Sequence, residues 1–113
     1  MSQDYCPNRG DIVWLSFSPQ AGFGESGRRP ALVLSPMLYN RKVGLVLVSP
    51  ITSAIKGYPF EVKLPDMESV SGVILSDQVK SLDWRARRAE LACRVPPETV
   101  TEVLAKIATL LCP

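Results

Sequence analysis

The sequence predicts a mainly β domain: a curled, mostly antiparallel sheet with one helix packed against it at the C-terminal end. Three observations carry this. Short apolar runs of strand length recur along the first 95 residues, separated by Pro, Gly, Asn and Ser. Only the last segment shows a sustained helical period. The length, 113 residues, is that of one ordinary domain, and a hydrophobic fraction of 46% is enough to build a core at that size.

Gly10 to Phe17 reads as the first strand, with Val13, Leu15 and Phe17 on one face. Pro19 to Arg29 holds Gly22, Gly24 and Gly27 and reads as a long exposed loop; a loop of that length between short strands usually has a function. Ala31 to Leu34 and Val43 to Val48 are strand-length apolar runs, with Tyr39 and Asn40 in the connection between them. Pro50 to Gly57 is a second polar loop, carrying Thr52, Ser53 and Lys56. Phe60 to Leu64 and Gly72 to Leu75 follow as strands, Ser76 to Asp83 as a turn or one short helical turn, and Arg87 to Val95 as the last strand. Pro97 to Leu111 is the helix: Val100, Val103, Leu104, Ile107, Leu110 and Leu111 recur at three- and four-residue steps. Pro97 suits its first position and Glu98 the positive end of its dipole. The architecture these elements favour is a small SH3-like barrel with a terminal helix, as a single domain over 1–113.

Charge balance says little about partners. Thirteen basic residues stand against 11 acidic ones, a net charge of +2. No basic-plus-apolar leader opens the chain and no apolar run approaches the roughly 20 residues a membrane helix needs, so a soluble cytoplasmic protein is expected. Cys6, Cys93 and Cys112 are odd in number and widely spaced, which makes neither a disulfide framework nor a zinc motif. The chain has no histidine. That removes the usual imidazole acid and base, and leaves carboxylates, arginine, lysine and hydroxyls for any catalysis; no metal and no cofactor is expected.

Four segments carry a resemblance to a known family. They are Gly10-Asp11-Ile12-Val13-Trp14, the run from Arg29-Pro30 to Ser35-Pro36, Lys56-Gly57-Tyr58-Pro59-Phe60-Glu61-Val62, and the run from Ser76-Asp77-Gln78 through Trp84-Arg85-Ala86-Arg87. In this order and spacing, covering about Tyr5 to Leu111, the chain resembles the MazF/PemK toxins, the mRNA interferases, and most of all their enterobacterial MazF branch. The resemblance implies an SH3-like barrel of the CcdB/PemK type and a homodimer. It also implies metal-independent cleavage of single-stranded RNA at a short motif, with a site containing ACA suggested, and neutralisation by a cognate acidic, MazE-like antitoxin. The same fold also serves a gyrase poison, so a non-enzymatic toxin is the competing reading, as is a relative that only binds RNA or antitoxin.

RNA carries its own nucleophile, the 2′-hydroxyl. The protein need only accept its proton, stabilise the phosphorane and protonate the leaving 5′-oxygen, giving 2′,3′-cyclic phosphate and 5′-hydroxyl ends. The resemblance gives the arginine of the Arg-Pro motif, Arg29, the central catalytic role. Because a guanidinium resists deprotonation, bidentate stabilisation of the phosphorane suits it better than proton transfer; otherwise it is a surface arginine paired with a carboxylate. Thr52 is expected to donate to a nonbridging oxygen, with Ser53 competing, unless its hydroxyl caps its own loop. Glu25 is the candidate general base, one place after the family's position, where this chain has Gly24; a solvated loop carboxylate is the alternative. Lys56, Lys80, Arg85 and Arg87 are candidate phosphate contacts, as against ordinary solvated surface. Phe17 is the candidate stacking residue, Trp14 being expected to pack in the core, and Asn40 and Gln78 carry amide edges that could read bases.

Overall fold

In a computed structural model of the protein, residues 4–17 and 27–113 are described. They form β1 (Asp11–Ser16), β2 (Arg28–Val33), α1 (Met37–Val43), β3 (Leu45–Thr52), β4 (Glu61–Lys63), β5 (Val73–Leu75), β6 (Lys80–Asp83), β7 (Glu90–Arg94) and α2 (Pro97–Leu111). The strands make one antiparallel sheet in the order β4-β5-β3-β2-β1-β7, with β6 also on β3. Among the described residues no pairing of β4 with β7 closes this path, so the barrel expected from sequence is present as a curled sheet whose closure is not seen.

β3 is the strand on which the sheet turns. Its first half, Leu45–Val48, pairs with β6, and its end, Ile51 and Thr52, pairs with β5. Pro50, which has no N–H to give, stands where β6 has stopped and β5 has not begun, a position a sheet tolerates.

Strand alternation sends successive residues into two cores. Ile12, Leu32 and Ile51 join Val62, Ile74, Val100 and Val103 beneath α2. Val13, Leu15, Ala31, Val33, Val46 and Val48 pack with Leu82 and Trp84 on the other side. Val13, Leu15 and Phe17 thus share a face as the sequence suggested. The sheet is covered on both sides, which is why its strands read as apolar runs rather than as strict alternation.

Two elements depart from the sequence reading. The segment holding Tyr39 and Asn40 is the helix α1, ended by Gly44 at φ 82°, whose N–H donates to Asn40 O. At seven residues it is too short for a convincing period. Residues 80–83 form a strand, not a helical turn; only Leu82 of the four is buried, so a largely exposed strand left little apolar pattern.

A buried polar knot ties the N-terminal segment to the sheet. Asp11, 2% exposed, accepts from Tyr5 Oη at 2.6 Å, from Asn8 N–H at 3.0 Å and from Arg94 Nε at 3.2 Å. Burial first, and the bond to Asp11 second, raise the Tyr5 phenol well above its ordinary range.

Candidate active site

The β2–β3 ladder ends before either strand does. Residues Arg28–Pro30 pair with β1, but pairing to β3 begins only at Ala31 with Pro50, so Ile51 and Thr52 run on unpaired with β2, level with Pro30 and Arg29 in register. Proline can occupy position 30 because its missing N–H costs no ladder bond there. Past the end of the ladder Arg29 is exposed at an open corner beside Thr52, the last residue of β3. Among the described residues the Arg29 guanidinium has no hydrogen bond or ion pair. The alternative of a carboxylate-paired surface arginine is therefore not what the described residues show. Thr52 Oγ1 accepts from Ala54 N–H at 3.1 Å, the local cap considered above, and its own proton remains free to donate.

Arg29, Ile51 and Thr52 are shared by two hollows. One, about 230 Å3, also has Phe17, Pro50, Leu75, Gln78 and Lys80 in its wall. The other, about 450 Å3, adds Trp14, Pro30, Ser53 and the segment Ser69–Ser71. The register puts Trp14 with Pro30 on one face of the sheet and Arg29 with Leu15 on the other, so the hollows lie to either side of these strand ends.

A neighbouring arginine fixes the corner. The Arg28 side chain is 7% exposed; its guanidinium donates to Trp14 O (3.3 Å), Ser16 Oγ (3.4 Å), Arg87 O (3.1 Å) and Glu90 Oε1 (2.9 Å). Arg87 Nη1 in turn donates to Ser16 O at 2.9 Å and Phe17 O at 2.7 Å. The two arginines bind β1, β2 and the turn before β7 together just below Arg29. On the β3 side, Gly72 (φ 119°) lies so close that a Cβ there would sit 2.2 Å from Thr52 O.

The corner thus gathers Arg29, Thr52, Ser53, Phe17, Gln78 and Lys80. Arg87 is near, but holds the end of β1 through one of its nitrogens. Lys56 is exposed and lines neither hollow; its backbone N–H and that of Gly57 are held by the Glu61 carboxylate, 2.9 Å from each. Arg85 lies over the Trp84 ring, 4.2 Å from its centre, near Gly44 at the opposite end of β3. The first residue of β3, Leu45, is seven residue steps from Thr52 along the strand, or roughly 23 Å at about 3.3 Å per residue. Arg85, a candidate phosphate contact, is thus placed away from this corner. The reading of Asn40 as a base reader is corrected. It is 0% exposed; its Nδ2 donates to Pro7 O at 2.8 Å and Ser35 O at 3.0 Å, and its Oδ1 accepts from Ser35 Oγ at 2.6 Å. No edge of that amide is left for a base. Glu25 lies outside the described residues.

Comparison with known proteins decides what kind of chain carries this corner. Residues 8–111 match the family described as PemK-like, MazF-like toxin of type II toxin-antitoxin systems. The chain belongs to that family. It is 48% identical over 111 residues to the endoribonuclease toxin MazF of Escherichia coli K12, covering 98% of this chain and 99% of that protein. It is 35% identical over 107 residues to the endoribonuclease PemK of Escherichia coli, covering 91% and 80%. Its fold matches a crystal structure of MazF from Deinococcus radiodurans (TM-score 0.86, 55% identity, 96% of this chain and 98% of that one). A MazE–MazF complex from the same organism matches equally well (TM-score 0.87, 50% identity, 96% and 98%). This MazF/PemK homologue therefore has the mainly antiparallel fold with a C-terminal helix that the sequence suggested.

Sequence reasoning passed over Arg28, Gly72, Ser69 and Ser71. Gly72 left one signal, an isolated glycine at the start of a strand, which often marks a close backbone approach. Arg28 left none, since an arginine beside a loop reads as solvated surface. Trp14 packs against the core beneath α2 as expected, and also lines the larger hollow.

Proposed function

We propose that this single-domain toxin, 1–113, is a sequence-specific, metal-independent endoribonuclease that cuts single-stranded mRNA and so stops translation. The observation carrying this reading is the exposed Arg29 guanidinium, unpaired among the described residues, beside the Thr52 hydroxyl at a corner flanked by two hollows. Arg29 offers a fork of N–H donors to the phosphorane oxygens and Thr52 adds an O–H donor, both directed at charge that develops only in the transition state. The substrate 2′-hydroxyl attacks the adjacent phosphorus, leaving a 2′,3′-cyclic phosphate and a 5′-hydroxyl, with Glu25 as the candidate base. Phe17, Gln78 and Lys80 in the smaller hollow supply a stacking face, an amide edge and a phosphate contact; Ser53, Lys56 and Arg87 extend the RNA surface outward. The absence of histidine supports independence from metal, as does the lack of any group of three His, Cys, Asp or Glu among the described residues able to hold an ion.

The toxin acts as a homodimer in the cytoplasm, where its substrate is. A groove of about 690 Å3 between α2 and the α1–β3 region supports the dimer, with Tyr39, Leu47, Val79, Leu104 and Leu110 along it. Leu110 and Leu111, 55% and 76% exposed, end that face, and a C2 contact would cover it. No helix among the described residues is long and apolar enough to cross a membrane. A cognate acidic antitoxin is its partner, as the MazE–MazF complexes of relatives suggest. The test is incubation with single-stranded RNA in EDTA. Wild type cuts at defined sites; Arg29→Ala, folded and dimeric, loses at least about a hundredfold in rate. Intact RNA with the wild-type protein would instead favour a non-enzymatic toxin.

A further inference from the structure

The larger hollow beside Arg29 has a chemical character of its own. Among the described residues Arg29 is the single charged one in its wall; Trp14, Pro30, Ile51 and Val70 give apolar surface, and Thr52, Ser53, Ser69 and Ser71 give hydroxyls. Among the described residues, the hydroxyls of Ser53, Ser69 and Ser71 make no hydrogen bond. A wall of neutral hydroxyls over apolar surface suits a flat group with apolar faces and a polar edge better than it suits a phosphate. Its volume, about 450 Å3, lies in the usual range for small-ligand sites.

The segment that supplies Ser69 and Ser71 is held in place. Val70 is 6% exposed in the core beneath α2. Gly72 abuts the Thr52 backbone at a distance only a residue without a side chain allows. The two serines are thereby held beside the end of β3, in the wall of the hollow that Trp14 also lines.

We infer that this hollow is a nucleobase subsite, taking the base of a nucleotide next to the phosphate at Arg29. Trp14 and Val70 contact its faces, and Ser69 and Ser71 read its edge. The inference rests on the RNA-cleaving function proposed above and adds specificity residues that the motif resemblance did not supply. A serine hydroxyl both donates and accepts, so the pair selects through geometry which bases it satisfies.

The test is the double substitution Ser69→Ala/Ser71→Ala, made on exposed residues, with cleavage of a long RNA mapped by sequencing the new 5′ ends. Wild type gives a short consensus. The variant is expected to lose about three- to tenfold discrimination at one position adjoining the cut, the scale of one or two lost hydrogen bonds, with the rest of the consensus unchanged. As a direct readout, 2-aminopurine is placed at that position in an RNA made uncleavable by a 2′-deoxy residue at the cut. Its fluorescence is expected to be quenched on binding the wild type and less quenched on binding Trp14→Leu. An unchanged consensus, or a uniform fall in rate at all sites, overturns the inference while leaving the endoribonuclease intact. If wild type produces no new ends, the RNA-cleaving function itself fails and the subsite falls with it.

Discussion

Replacing Gly72 by alanine places a methyl group 2.2 Å from Thr52 O and 2.8 Å from Thr52 C. A carbon–oxygen contact rests at roughly 3.3 Å, so the strand end must retreat by about 1 Å. Overpacking of that kind costs about 1–3 kcal/mol. The backbone at φ 119° adds about 1–3 kcal/mol of strain for a residue with a Cβ. Gly57 is the internal control: it too has positive φ, 82°, but a Cβ there meets nothing within 4 Å. Gly57→Ala therefore reports positive-φ strain without a clash, and the difference between the variants contains the clash together with the extra strain of φ 119° over 82°. At about 4 °C per kcal/mol for a chain of this length, Gly72→Ala should melt about 4–12 °C below Gly57→Ala. The assay is thermal unfolding at one fixed protomer concentration, because the midpoint of an assembling protein depends on it. RNA cleavage at a temperature where both variants are folded should also fall in Gly72→Ala, by up to about a hundredfold, because a 1 Å error at Thr52 spoils its alignment. Equal melting points and equal rates would refute the close approach and the placement of Thr52 by it.

Two further perturbations separate structure from chemistry. Asn40→Ala removes three side-chain hydrogen bonds from a fully buried position and should cost about 2–4 kcal/mol in urea unfolding, while RNA affinity of the folded protein stays within about twofold. Loss of affinity with stability intact would return Asn40 to the RNA surface. Tyr5 tests the buried knot: its phenol is raised from 10.0 in the fold, so its contribution is complete below about pH 10 and lost as pH rises through the higher folded value. The stability gap between wild type and Tyr5→Phe should therefore shrink above about pH 10; a gap that widens there would contradict the bond to Asp11.

The parts of the fold that sequence revealed are those with a long or two-sided apolar signal. α2 was legible end to end because Pro97, Glu98 and six apolar positions agree. β1 and β2 were legible because both faces of the sheet are buried. α1 and β6 were not: one is seven residues long, and the other is exposed at three of its four positions. The site divides in the same way. Arg29 and Thr52 stood out through the motifs that frame them, but their meeting depends on the β2–β3 register, which sets Arg29 level with Thr52 just past the end of the ladder and which no local pattern announces. Asn40 shows the opposite error. An amide in a presumed loop looked available to a base, and became a core hydrogen-bonding group once the loop proved to be a helix folded over Pro7 and Ser35. Arg28 and Arg87 were opaque because an arginine that binds backbone carbonyls has the same sequence appearance as one in solvent.

In the proposed mechanism the RNA supplies the nucleophile and Arg29 with Thr52 stabilises the phosphorane. Single-turnover cleavage of a short RNA bearing one 2′-deoxynucleotide on the 5′ side of the cut tests this most directly, in EDTA and again in magnesium. The substituted RNA should bind as tightly as its all-ribose parent and stay intact in both buffers, while the parent is cut at the same rate in both. Cleavage of the deoxy-substituted RNA at the parent's rate would mean that water is the nucleophile, and would contradict the mechanism.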